Sequence, residues 1–191
     1  MEYLLVTLGS YLLGSIPFGF ILTKIFLKKD IRDVGSGNIG ATNVLRAGNK
    51  SIGYATLILD ILKAFITVIY IKLNYPDYVF IASLSVFLGH VFPLWLKFKG
   101  GKGVSTYVGI LFSLDLIYGL IFIGVWIGVF LISKYSSLSS IIASLSIPIY
   151  LMIFKNDNLI FFIIMFVLIF FTHRENVKRL KNKEENKTKI Y

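Results

Sequence analysis

Six stretches of this chain are apolar over lengths that suit the hydrocarbon core of a bilayer, and no other feature restricts the fold as much. They run at about 3–27, 51–72, 78–96, 116–133, 138–154 and 158–173, with a shorter apolar piece at 104–115. In hydrocarbon every backbone amide and carbonyl must be satisfied within the protein, so the spans are expected to be helices. Hydrophobic residues make up 56% of the 191 and charged residues 16%, too little polarity to coat a soluble core of this size. The first span should be retained rather than cleaved as a signal. No Lys or Arg precedes Lys24, and no small-residue cleavage site follows a short apolar stretch.

Charge and parity then set a topology. The loop 28–50 carries Lys28, Lys29, Arg32, Arg46 and Lys50, and the loop 97–103 carries Lys97, Lys99 and Lys102. The tail carries Arg174, Lys178, Arg179, Lys181, Lys183, Lys187 and Lys189. All three are expected on the cytoplasmic side. The connections near 73–77 and 155–157 hold few cations and include Asp77 and Asp157. For the tail to end inside, 104–133 must cross twice, turning near Ser113-Leu114-Asp115. The expected fold is an all-α integral membrane protein, a seven-transmembrane-helix bundle with short or broken helices, N-terminus outside and C-terminus cytoplasmic. It reads as a single membrane-embedded domain, 1–191, whose polar tail 174–191 leaves the membrane as a short helix and then frays. The leg 104–114 is about 16 Å long as a helix and needs sheltering neighbours. The formal charge of +10 reads as cytoplasmic-side cations facing anionic lipid, with no nucleic-acid partner.

The chain has no cysteine and two histidines, His90 and His173. Disulfides, thiol nucleophiles and cysteine-held metals are excluded, and no metal site is expected. Four other places carry chemistry. Gly14-Ser15-Ile16-Pro17-Phe18-Gly19 interrupts the first span, either as a packing kink or as a broken helix exposing backbone groups near a site. The block from Arg32 to Arg46 holds Gly35, Gly37 and Gly40 with Ser36, Asn38, Thr42, Asn43 and Arg46. Its glycines let amides line a concavity, and arginine adds a forked cation for phosphate. The letters Gly35-x-Gly37-x-x-Gly40 match a dinucleotide fingerprint, but no strand precedes them. The run from Gly89-His90 to Thr106 places Lys99 and Lys102 among Gly100, Gly101 and Gly103, without a Walker A pattern. Its amides near 101–106 are candidates for a helix N-terminus. The last place is divided between Ser136–Ser140, with Ser137, and His173-Arg174-Glu175-Asn176. His, Arg and Asn within one turn offer proton transfer, phosphate binding and neutral hydrogen bonding. Asp60 and Lys63, three residues apart inside the second span, read as an ion pair.

Together these segments resemble the bacterial acyl-phosphate:glycerol-3-phosphate acyltransferase family. Leu13–Pro17, Gly35–Arg46, Gly89–Thr106 and His173–Leu180 carry the resemblance, which covers nearly the whole chain. Ser105 stands where many members have alanine. The resemblance implies a seven-helix acyltransferase of the bacterial plasma membrane. It would move a fatty acyl group from acyl phosphate to glycerol 3-phosphate, giving lysophosphatidic acid and phosphate in phospholipid synthesis, with no cofactor. It implies as partners glycerol 3-phosphate, fatty acyl phosphate and membrane lipid, with transient contact with the acyl-phosphate-producing enzyme left open. Acyl-CoA-dependent relatives in activity carry a His followed five residues later by Asp. Here Trp95 follows His90 and Lys178 follows His173 at that distance.

The expected chemistry is direct attack of the glycerol-phosphate hydroxyl on the acyl carbonyl. Arg46 and Lys102 are the expected phosphate holders, with Arg174 a further candidate. Ser36, Asn38, Thr42, Asn43 and Ser137 are expected to hydrogen-bond substrate. His173 or a substrate phosphate takes the proton, with Asn176 and Lys102 beside the chemistry. Gly35, Gly37, Gly40, Gly100, Gly101, Gly103, Asp60, Lys63 and His90 are expected to support the site. The rival class is a membrane transporter of a phosphorylated metabolite, which would need polar groups along a full crossing path.

Overall fold

The computed structural model describes residues 1–154 and 157–188. The expected connection at 155–157 therefore lies partly outside the described residues, and Lys189 of the basic tail wholly so. The regular elements among the described residues are all helices, and the chain divides into two compact units, Met1–Leu114 and Asp115–Tyr191.

In the first unit α1 (Glu2–Gly14) stops at Pro17, which cannot donate an amide to the preceding turn, and α2 (Phe18–Leu22) resumes the path. One wide turn, Thr23–Leu27, completes this 26-residue apolar stretch. Close approach is built into the break: a Cβ on Gly14 would fall onto the Val86 carbonyl. A short helix α3 (Ala41–Arg46) lies in the following loop, and α4 (Lys50–Asn74) begins where Asn49 Oδ1 accepts the Ile52 amide at 2.9 Å. Next come α5 (Val79–Val91) and α6 (Val104–Leu114). Lys72, near the end of α4, donates to the Ser113 and Leu114 carbonyls at 3.0 and 2.7 Å. It thereby satisfies open carbonyls at the end of α6. Gly109 in the middle of α6 abuts the Ile61 carbonyl, so α4 and α6 run in the same direction.

The second unit begins at the expected turn. Asp115 Oδ1 accepts the Ile117 amide at 2.7 Å and starts α7 (Leu116–Ser133). It returns as α8 (Ser136–Ile153), with Trp126 Nε1 donating to Ser140 Oγ at 3.1 Å and Tyr118 edge-on to Tyr150. Then follow α9 (Leu159–Thr172) and α10 (Arg174–Lys181).

Among the described residues five helical stretches are long and apolar enough to cross a membrane, and a sixth if α9 and α10, bent by 59°, count as one. The difference from the seven crossings expected includes α6, whose 11 residues span about 16 Å. Leu4, Leu8, Ile58, Ile66, Ile132, Ile160 and Val167 stay exposed, as residues facing acyl chains should. The tail requires a correction. It was expected to fray after a short helix, yet Glu185 is buried and the Thr188 amide donates to the Lys134 carbonyl at 2.9 Å. Side-chain donors elsewhere in the unit satisfy Glu185, so this part of the tail folds back instead of solvating.

Candidate functional site

The loop between α2 and α4 is ordered from below by apolar residues. Ile31, Ile39 and Val44 are buried with Leu96, with Phe20, Val34, Ala47 and Ile52 packed around them. This floor holds both cation-bearing loops of the first unit. From within, the loop is held by Asn43, which is 3% exposed. Its Nδ2 donates to the carbonyls of Ile31, Val34 and Asn38 at 3.2, 2.8 and 2.8 Å, and its Oδ1 accepts the Ser36 amide at 2.9 Å. Asn43, expected on substrate, thus has its hydrogen-bonding groups engaged by the loop itself. Replacing it with Ala should leave those backbone groups unmatched at a local cost of roughly 2 kcal/mol. Proteolytic nicking between 33 and 40 would then quicken by about thirtyfold, whereas an unchanged cleavage rate would show that the loop holds without it.

Arg32 is also engaged. Its Nε and its amide donate to Asp30 Oδ1 at 2.9 and 3.0 Å, its guanidinium lies 2.6 Å from Asp30 Oδ2, and it covers the Phe20 ring at 4.9 Å. The guanidinium hydrogen bonds hold the Asp30 carboxyl at about 2, against an opposing push from burial, and the carboxylate in turn raises Arg32. Arg46, in the last turn of α3, is exposed, and so are Gly35, Ser36 and Gly37; Asn38, Gly40 and Thr42 are half-buried.

Asn38 connects this loop to the second one. Its Oδ1 accepts the Gly40 amide at 2.9 Å, and its Nδ2 reaches the Gly100 carbonyl at 3.4 Å. Lys102 is half-buried two residues before α6, so the first-turn amides of that helix follow it directly, as expected. An open apolar groove lined by Ile16, Pro17, Phe20, Ile21, Trp95 and Leu96 runs beside the helix break. Trp95 Nε1 donates to Ser15 Oγ at 2.8 Å at its edge.

Deeper in the unit, Lys63 Nζ lies 2.8 Å from Asp60 Oδ1, 3.0 Å from His90 Nδ1 and 2.8 Å from the Ile16 carbonyl. The expected ion pair is present. Asp60 Oδ1 lacks a well-directed hydrogen bond, so its contact with Lys63 is chiefly electrostatic. Asp60, Lys63 and His90 are 2%, 8% and 4% exposed.

In the second unit His173 follows α9 and is 2% exposed. Its Nδ1 lies 2.8 Å from the Ile169 carbonyl, an acceptor only, so Nδ1 carries the proton and the lone pair sits on Nε2. Arg174, its neighbour, is exposed, donates to the Phe171 carbonyl at 3.2 Å and covers the Phe171 ring. Ser137 and Asn176 meet at a residue that sequence reasoning missed. Ser137 Oγ and Asn176 Nδ2 donate to Glu185 Oε1 at 2.9 and 2.7 Å, while Arg179 Nε donates to Oε2 at 2.7 Å. The one local signal was an acidic pair, Glu184-Glu185, inside a lysine-rich tail. Ser139 and Ser140 bond carbonyls of Tyr135 and Ser136, one turn back.

Residues 4–183 match the family described as glycerol-3-phosphate acyltransferase. A glycerol-3-phosphate acyltransferase of Pelagibacter ubique (strain HTCC1062) is 77% identical over 191 residues, covering 100% of both chains. One of Rhodopseudomonas palustris (strain HaA2) is 46% identical over 187 residues, 97% of this chain and 95% of the relative. The crystal structure of PlsY (YgiH), an integral membrane glycerol 3-phosphate acyltransferase, in its glycerol 3-phosphate form superposes with a TM-score of 0.91 at 38% identity, covering 98% of this chain and 96% of that one. Its lysophosphatidic acid form gives 0.88 at 37%, covering 98% and 95%.

Proposed function

The chain belongs to the glycerol-3-phosphate acyltransferase family, and on that premise we propose that it acylates glycerol 3-phosphate from acyl phosphate at the cytoplasmic face of a bacterial plasma membrane. The glycerol-phosphate hydroxyl oxygen attacks the acyl carbonyl carbon, forming the ester bond. The bond from that carbon to the phosphate oxygen breaks, and lysophosphatidic acid and inorganic phosphate leave. The hydroxyl proton goes to His173 Nε2 or to a substrate phosphate. Acyl phosphate is a mixed anhydride with a good leaving group, so the enzyme has mainly to position two anions and stabilise charge.

The observation that carries this reading is the junction of two glycine-rich, cation-bearing loops through Asn38 and Gly100. Arg46 and Lys102 hold substrate phosphates, and exposed Arg174 supplies a further cation. Ser36, Thr42 and the loop amides take the glycerol oxygens. The groove lined by Ile16, Pro17, Phe20, Ile21, Trp95 and Leu96 suits an acyl chain. Seven crossings with the N-terminus outside bring the basic loops and tail to the cytoplasm.

Purified enzyme is incubated with labelled glycerol 3-phosphate and, in separate reactions, palmitoyl phosphate, palmitoyl-CoA or palmitoyl carrier protein. Lysophosphatidic acid from acyl phosphate alone is expected; product from a thioester alone would overturn the donor. Lys102→Met should raise KM for glycerol 3-phosphate roughly ten- to a hundredfold, the loss of one charge-assisted phosphate contact. An unchanged KM would remove Lys102 from binding the phosphate of glycerol 3-phosphate.

A further inference from the structure

Asp60, Lys63 and His90 take no part in the reaction above, yet buried charges within a membrane span are costly and persist for a reason. We propose that they form a positioning device for Lys102, one that ties the helix break at Pro17 to the Gly100–Gly103 turn. The proposal rests on the phosphate-binding role given to Lys102.

Pro17 interrupts the helix and leaves the Ile16 carbonyl with a single poor turn bond, from the Phe18 amide at 3.2 Å. Lys63 Nζ takes up that carbonyl at 2.8 Å. The same ammonium lies against Asp60 on its own helix and Nδ1 of His90 on α5, so it faces three different parts of the unit. With Lys63 as donor, Nδ1 accepts, and the ring proton of His90 lies on Nε2.

That ring edge is where the turn sits. A Cβ on Gly101 would fall 2.1 Å from His90 Nε2, so the Gly101 backbone lies directly against the imidazole. The backbone of His90 holds the turn as well. Gly101 N donates to the His90 carbonyl at 3.1 Å, and Gly100 N to the Val91 carbonyl at 3.0 Å. These are carbonyls that the end of α5 leaves open. Beyond Lys102, Gly103 has φ +84, and its absent Cβ would lie 2.1 Å from Phe87 Cε2. Lys102 is therefore held between two glycines seated on the side chains of α5, and one of those side chains is oriented by Lys63. An apolar trio would fill the same space without the desolvation penalty, but it would supply neither the grip on the Ile16 carbonyl nor a fixed imidazole edge.

The test uses the full-length enzyme in detergent, with glycerol 3-phosphate and palmitoyl phosphate varied separately. Lys63→Met and Gly101→Ala should each raise KM for glycerol 3-phosphate by about tenfold and leave kcat and the donor KM within about twofold. His90→Ala added to Gly101→Ala should bring no further rise, because both changes act on one contact. Gly101→Ala lies at the turn, so this pair decides the matter even where Lys63→Met lowers the yield of folded enzyme. Unchanged KM in Gly101→Ala, or strict additivity with His90→Ala, would overturn the proposal. So would parallel losses in kcat, both KM values and the thermal midpoint, which mark a merely structural role. Wild-type enzyme that makes no product from any donor would instead fell the proposed function, and this inference with it.

Discussion

His173→Ala should lower kcat with acyl phosphate by about a hundredfold or more, with KM for glycerol 3-phosphate moving less than about threefold. The reason lies in how the ring is held. At 2% exposure, its Nδ1 lies 2.8 Å from the Ile169 carbonyl, which also accepts the His173 amide at 3.1 Å and the Thr172 hydroxyl at 2.8 Å. The Nδ1 bond puts the lone pair on Nε2 and fixes the plane of the ring, and a fixed base is worth about 10²–10⁴ in rate. The rival route hands the proton to a substrate phosphate and needs no imidazole. The two routes separate in the pH profile of kcat. A histidine base produces an acidic limb in the wild type that disappears in the variant. Losing the bond to Ile169 costs about 1 kcal/mol, so the thermal midpoint should fall only slightly. Turnover retained within about tenfold in folded protein would assign the proton to the phosphate.

The parts of this protein that were legible beforehand are those decided by short-range or solvent-imposed rules. Bilayer-length apolar runs marked the spans because hydrocarbon tolerates little else. Pro17 marked the break because its ring removes a helix donor, and the charge of the tail marked the turn near Asp115 by parity, where the Asp115 side chain caps the first amides of α7. Asp60 and Lys63 were legible as a pair because three residues on a helix are neighbours. Their link to His90 was not, since it joins residues 27 apart on two helices. Asn43 shows a different limit. A carboxamide in a glycine-rich loop announces that it will hydrogen-bond, but not whether to a ligand or to the loop. Here three carbonyls and an amide of its own loop surround it. Glu185 was hidden by composition: the lysines around it describe a solvated tail, while its donors sit 48, 9 and 6 residues away.

Glu185→Ala should therefore be among the most damaging single changes in the second unit, lowering stability by about 3 kcal/mol and the thermal midpoint by about 10 °C. The side chain is 8% exposed and gathers Ser137, Asn176 and Arg179. Truncation strands two buried donors, Ser137 and Asn176, and the loss of the half-exposed Arg179 pair adds little to that. The carboxylate also makes the unit acid-sensitive. Burial alone would push its pKa up; the hydrogen bonds from Arg179, Asn176 and Ser137 and the charge of Arg179 outweigh this and hold it below its ordinary 4.5. With the folded value depressed, the stabilisation is fully present above about pH 4.5 and is lost as pH falls through the folded value. Glu185→Gln keeps the shape and one acceptor but cannot titrate, so its thermal midpoint should fall less between pH 7 and about pH 4 than that of the wild type. Thermal unfolding of the full-length enzyme across that range reads both effects. A Glu185→Ala midpoint equal to wild type would mean that the tail packs there without stabilising the unit. Parallel acid limbs for wild type and Glu185→Gln would place the acid sensitivity in another group.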